Sequence, residues 1–123
     1  MLMMTWRDRG DLLTRYDSLK GIIGGKTGYV PIGFEINAPI APTGWVYRQA
    51  IAENPAINLW NTDGHHANNR GNYLNAMCVY CAIYKASPVG LKIPNPTANA
   101  GIKDHDQQLV NTVAMTGRAT WNI

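Results

Sequence analysis

The sequence has few of the features that mark several large classes of protein. Only 15% of its 123 residues are charged, and its lysines and arginines occur singly, so no basic run is available to follow a nucleic-acid backbone. No apolar run approaches the roughly 20 residues that a membrane-spanning helix needs, and the apolar start at residues 1–4 is too short for a signal peptide. We therefore expect no nucleic-acid partner and no membrane span.

Cysteine is also scarce. Cys78 and Cys81 have the Cys-x-x-Cys spacing of some metal and redox sites, but a structural zinc site needs four ligands and the chain has no second pair. Apolar residues recur at helical spacing from Tyr73 to Tyr84, and both cysteines belong to that series. The pattern predicts two buried thiols on one helix.

The remaining composition, 46% hydrophobic, is typical of a packed protein, and we expect residues 1–123 to form a single domain. Alternating strands and helices predict an α/β fold, a partial three-layer αβα sandwich with a short parallel sheet flanked by helices. The expected elements are strand 2–5, helix 11–23, strand 29–33, helix 44–53, extended piece 57–60 and helix 68–84, then a connection and a C-terminal helix within 92–123.

Two or three strands are too few to complete such a sheet. Leu12, Tyr16, Leu19 and Ile23 form the apolar face of the first predicted helix, which needs a sheet to cover. A parallel sheet of this size leaves an edge bare unless further strands or another chain cover it. With a strand predicted almost at Met1, we expect either a missing N-terminal segment or self-association at the exposed edge.

The loop sequence Asp63-Gly64-His65-His66 carries the clearest chemistry. A carboxylate three residues before a histidine, on a loop that leads into a helix, can turn back onto the imidazole and fix its tautomer. The other ring nitrogen is then free to act as a base. The spacing therefore predicts a catalytic pair of Asp63 and His66.

The nucleophile that such a pair would activate is not evident. The chain has no Gly-x-Ser-x-Gly or Gly-Asp-Ser motif. Ser18 is predicted on the solvent side of the first helix, and Ser87 lies just beyond the end of another. We expect neither to serve as the nucleophile.

These residues resemble the C-terminal half of SGNH/GDSL hydrolases, a bacterial-type esterase and lipase family, over the stretch from Leu2 to about Leu91. The resemblance rests on the Asp-x-x-His block at 63–66, on Gly71-Asn72-Tyr73-Leu74 opening the next helix, and on the helix end from Tyr84 to Leu91. Upstream, residues 3–6 and 30–33 resemble middle strands of the family. Ala67 and Asn68 stand where the family commonly has Pro and Ser.

The resemblance implies a flavodoxin-like fold in which Asp63 orients His66 and His66 is the general base, while His65 occupies a variable position. It implies acyl esters, carbohydrate esters among them, as substrates, and a mechanism that needs no cofactor. The family's Ser nucleophile and oxyanion-hole residues precede the part matched here, so this chain alone is predicted inactive. Family members are often exported.

Two other functions stay open at this point. One is a non-catalytic remnant or interaction protein of the same fold, which pairs through its bare sheet edge. The other is a small metal-binding protein that uses Asp63, His65 and His66, since imidazole and carboxylate are common zinc ligands.

Overall fold

A computed structural model of the chain describes residues 1–20, 22–23 and 26–88. The predicted connection and helix within 92–123 lie outside these residues. The described elements, in chain order, are β1 (Leu2–Met3), α1 (Leu13–Lys20), β2 (Ile22–Ile23), β3 (Lys26–Thr27), α2 (Tyr29–Glu35), β4 (Ile40–Ala41), α3 (Thr43–Glu53) and α4 (Asn69–Tyr84). In this part of the chain, no helix combines the length and apolar character required to cross a bilayer.

Strands β1 and β4 form the parallel sheet, and they are brought together by backbone hydrogen bonds. The Leu2 N–H donates to the Pro39 carbonyl and the Met4 N–H to the Ala41 carbonyl, each at 2.9 Å. Strands β2 and β3 form a separate antiparallel hairpin. The prediction of a mixed α/β fold with a short parallel sheet is confirmed.

The prediction of a strand over 29–33 was wrong, because these residues form helix α2. Pro31 is the third residue of that helix. The first backbone N–H groups of a helix have no partner within it, so a proline there loses no hydrogen bond.

Strand β4 was missed because prolines flank it. Both β1–β4 hydrogen bonds described above use carbonyls of the β4 segment, including that of Pro39, as acceptors. The missing N–H of proline is therefore not needed on this side of the strand. Pro42 then stands at the N-cap position of α3.

Helix α1 is shorter than its periodicity predicted. Tyr16 is fully buried and Leu19 packs against the core, as expected. Leu12 precedes the helix and is 67% exposed, so the prediction that it faces the core was wrong. Ile23 belongs to β2.

Helices α3 and α4 confirm the predicted segments. Val46 and Ala50 of α3 are buried, and the Asn68 side chain caps α4 by accepting from the Gly71 N–H at 2.9 Å. Cys78 and Cys81 are buried as free thiols, and burial raises the pKa of each, to about 12 and about 11. Both are therefore unreactive thiols of the core.

Gly71 is a buried residue in the first turn of α4 that packs against the core. A Cβ added there would collide with the Tyr47 hydroxyl and the Leu59 backbone carbonyl, and would stand 3.1 Å from the Ala67 Cβ. Tyr47 and Leu59 are fully buried and have little room to move. The glycine that opens this helix is thus required by packing.

We predict that Gly71→Ala lowers the free energy of unfolding. Alanine gains about 0.5–1 kcal/mol of helix propensity, but overpacking a buried site costs about 1–3 kcal/mol, and here a backbone carbonyl resists displacement. Urea unfolding measures the difference. The matched control is Gly33→Ala in α2, whose added Cβ would meet mainly the movable Ile40 side chain, at 2.6 Å. A loss at Gly71 no larger than the loss at Gly33 would contradict the packing argument.

Candidate functional site

The histidines lie on a tight loop between the core and the start of α4. Trp60 and Ala67 form an antiparallel bridge across its base, and the Asn61 N–H donates to the His66 carbonyl at 2.8 Å. Gly64 turns the chain with φ of +69°, a left-handed conformation that glycine adopts without strain. Trp60 belongs to the predicted extended piece, of which the structure shows this single bridge.

Asp63 joins the loop backbone to the His66 ring. Its Oδ2 is 2.5 Å from His66 Nδ1, and its Oδ1 accepts the backbone N–H groups of His65 and His66 at 2.9 and 3.0 Å. The side-chain bond from His66, followed by the two backbone bonds, lowers the pKa of Asp63 to about 2. The carboxylate is therefore ionised at neutral pH, and it accepts a hydrogen bond from the proton-bearing Nδ1 of His66.

The structure thus brings Asp63 and His66 together as the sequence predicted, and their catalytic role stays a prediction. With Nδ1 bonded to the carboxylate, Nε2 is the nitrogen that remains for proton transfer. The pair lies at the surface, since the His66 side chain is 73% exposed and that of Asp63 47%. The described residues do not shield this imidazole from water.

A second carboxylate–imidazole pair stands next to the first. Asp8 Oδ1 is 2.5 Å from His65 Nδ1, and the His65 and His66 ring centroids are 4.9 Å apart with the rings nearly perpendicular, at 84°. Sequence reasoning missed Asp8, which is 57 residues away from His65. The only feature of the sequence that could have indicated Asp8 is its place in the loop that follows the carboxyl end of β1.

That loop, residues 4–12, which we call the β1–α1 loop, also fastens the histidine loop through the backbone. Trp6 Nε1 donates to the His65 carbonyl at 2.9 Å, and the Arg9 N–H donates to the Gly64 carbonyl at 2.8 Å. The Trp60 indole, buried at the base of the histidine loop, donates back to the Arg7 carbonyl at 3.0 Å. Each loop or its base therefore donates hydrogen bonds to backbone carbonyls of the other.

The metal-binding alternative receives no support from this geometry. Among residues 1–20, 22–23 and 26–88, no three His, Cys, Asp or Glu side chains are placed to hold a metal ion. Each histidine directs Nδ1 to its own carboxylate, so Asp63, His65 and His66 do not converge on one point.

The described hydrogen bonds of the Ser18 hydroxyl are made with groups other than His66. The hydroxyl donates to the Arg15 carbonyl at 2.7 Å and accepts from the Arg7 guanidinium at 3.1 Å. That Ser18 is not the nucleophile stays a prediction.

Comparisons of the chain with protein-family models, with curated proteins and with solved structures gave no match. The resemblance to SGNH/GDSL hydrolases therefore rests on the residues quoted above.

We predict that Asp63 stabilises the folded protein at neutral pH and that acid removes this contribution. Because its pKa is lower in the folded protein than the ordinary 3.8, its contribution is complete above the ordinary value and is lost as pH falls through about 2. The difference in unfolding free energy between the wild type and Asp63→Asn should therefore shrink below about pH 4.

Urea unfolding at several pH values measures this difference. Asp11→Asn, which removes a carboxylate from an exposed ion pair with Arg15, is the matched control. If the difference in unfolding free energy between the wild type and Asp63→Asn does not change as the solution is acidified, the pKa of Asp63 is not lowered in the folded protein.

Proposed function

We propose that this chain is the C-terminal part of an ester hydrolase of the SGNH/GDSL type. In this proposal Asp63 and His66 are the acid and base of a catalytic triad, and the Ser nucleophile comes from another segment or chain. The complete fold would be a flavodoxin-like three-layer αβα sandwich, to which β1 and β4 contribute two parallel strands. The substrates would be acyl esters, carbohydrate esters among them.

One observation carries the proposal: the Asp63 carboxylate binds Nδ1 of His66, which leaves Nε2 for proton transfer on a side chain that is 73% exposed. This arrangement is the one that lets an imidazole exchange protons with a hydroxyl. The two backbone bonds to Oδ1 keep the carboxylate in place during that exchange.

The location of the pair agrees with the proposal. The β1–α1 loop follows the carboxyl end of β1 and holds the histidine loop through Trp6, Asp8 and Arg9. Open α/β sheets place their reactive groups beyond the carboxyl ends of parallel strands.

In the proposed reaction, His66 Nε2 takes the proton of the serine hydroxyl as its oxygen attacks the acyl carbonyl. The imidazolium is stabilised by Asp63 and returns the proton to the alcohol as the ester bond breaks. Water then attacks the acyl-enzyme with the same proton transfers, releasing the acid and regenerating serine. These steps need side chains and water.

We predict that the 123-residue chain alone is inactive and that activity appears when the nucleophile is supplied. Loss of the nucleophile costs a triad on the order of a million-fold in rate. If the DNA upstream of the Met1 codon encodes an in-frame Gly-Asp-Ser-like block, the extended protein should hydrolyse an aryl acetate and react with a fluorophosphonate probe. His66→Ala should then lower kcat by about 10⁴-fold or more.

Asp11→Asn is the control in the extended protein, since this surface carboxylate belongs to neither pair with histidine. Hydrolysis that survives in His66→Ala would contradict the assigned base. An upstream frame without a serine block, with no separate serine-bearing chain that restores turnover, would contradict the proposal as a whole.

A second function, that of a non-catalytic interaction protein, is favoured by a different observation. Among the described strands, β1 and β4 pair only with each other. Met3 of β1 is 42% exposed, and Met1, which directly precedes β1, is 55% exposed. Unpaired strand edges with apolar side chains are sites at which another strand can add.

If β1 mediates self-association, Met3→Lys should weaken it, because a charge on an edge strand opposes pairing with another chain. Sedimentation velocity over a range of protein concentrations measures the effect. Leu12→Lys replaces a more exposed apolar residue outside the strands, 67% exposed against 42% for Met3, and serves as the control. A monomer at every concentration, or equal effects of the two substitutions, would contradict pairing through β1.

A further inference from the structure

We propose that His65, held by Asp8, is a second functional imidazole of this site, which donates a hydrogen bond from Nε2 to an anionic oxygen of the bound molecule. The anionic group is a carboxylate or a phosphate beside the bond on which His66 acts. The inference rests on the proposed function and adds to it a preference for acidic substrates.

The first step of the argument is the way His65 is held. Asp8 Oδ1 is hydrogen-bonded to Nδ1 of the His65 ring at 2.5 Å, so Nε2 is the nitrogen left for a ligand. The His65 side chain is 67% exposed. The Trp6 indole donates to the His65 carbonyl, and the backbone N–H of His65 donates to the Asp63 carboxylate. A surface histidine without such contacts would sample several rotamers, whereas this ring is ordered before a ligand arrives.

The second step concerns charge. The hydrogen bond with Asp8 and then the charge of Asp8 raise the pKa of His65. Desolvation acts in the opposite direction, and the charge of Asp63 has the weakest effect, which again raises the pKa. The His66 ring also lies beside His65, and the backbone N–H of Arg9 donates to the carbonyl of Gly64, which precedes His65. Near neutral pH, therefore, a larger share of His65 carries a positive charge and a proton on Nε2 than in a free histidine.

The third step is the juxtaposition of the two rings. The centroids of the two rings are 4.9 Å apart. Because each Nδ1 is bonded to a carboxylate, the proposal uses Nε2 of His66 as a proton acceptor and Nε2–H of His65 as a hydrogen-bond donor. A molecule that contacts both needs an anionic oxygen close to its reacting group. Hydrogen bonds between an imidazolium and an oxyanion are charge-assisted, and they are stronger than neutral ones.

Nuclear magnetic resonance of the imidazole nitrogens tests this inference on the 123-residue chain without any turnover. Inorganic phosphate and acetate are added in separate titrations near neutral pH, with chloride at the same ionic strength as the reference. We expect a saturable shift of the His65 Nε2 resonance with at least one oxyanion. The two titrations distinguish a phosphate preference from a carboxylate preference.

Variants of Asp8 separate this role from a structural one. Asp8→Asn should weaken oxyanion binding by up to about fourfold at pH 7, because His65 then returns toward the ordinary histidine pKa of 6.5, at which about a quarter of the rings carry a charge. Binding should recover on acidification, when His65 is protonated without help from Asp8. Asp8→Glu, which keeps the carboxylate, should retain binding near neutral pH, and Asp11→Asn should bind as the wild type does.

A His65 shift no larger with either oxyanion than with chloride would overturn the inference. Equal binding by Asp8→Asn and Asp11→Asn would overturn it too, provided that the backbone spectrum shows both variants folded. Failure of the proposed hydrolase gives a different result, in which His65 binds oxyanions but no serine-bearing segment produces turnover.

Discussion

The Asp63 carboxylate is the group on which the whole site depends. Its Oδ1 accepts two consecutive backbone N–H groups, which bends the loop, and its Oδ2 binds the imidazole of the same loop. Loop shape and ring orientation are therefore set by one side chain, and a low pKa keeps that side chain ionised while it performs both roles. Gly64 makes the bend possible because its positive φ is readily adopted only by glycine.

The rest of the fold holds this loop from two sides. On one side, the Asn68 cap starts α4 immediately after the histidines, and Gly71 lets that helix lie against Tyr47 and the Leu59 carbonyl. On the other side, the β1–α1 loop binds the histidine loop through backbone groups and through Asp8. The position of β1 relative to α4 thereby determines where the two imidazoles stand.

Local features of the site could be predicted from the sequence, and distant ones could not. The pairing of Asp63 with His66 spans three residues, the Asn68 cap and the amphipathic α3 and α4 are equally local, and short-range geometry follows from residue type. The Asp8–His65 pair depends on β1 lying parallel to β4, a contact between distant segments that composition and spacing do not encode.

Two of the wrong or missed elements, the strand predicted at 29–33 and the missed β4, have the same origin, since prolines marked both. Pro31 lies within the segment predicted as a strand, but it occupies a helix position whose N–H is not needed. Pro39 contributes only a carbonyl to the β1–β4 pairing, so its missing N–H does not matter there. In both cases the tertiary position of the proline, rather than its presence, decided the outcome.

A strand added to β1 in the parallel sense would place its own carboxyl end beside the β1–α1 loop, because the carboxyl ends of parallel strands share one edge of a sheet. Pairing at this edge and delivery of a nucleophile to His66 are therefore compatible, whereas an antiparallel strand would direct its following loop to the opposite end of the sheet.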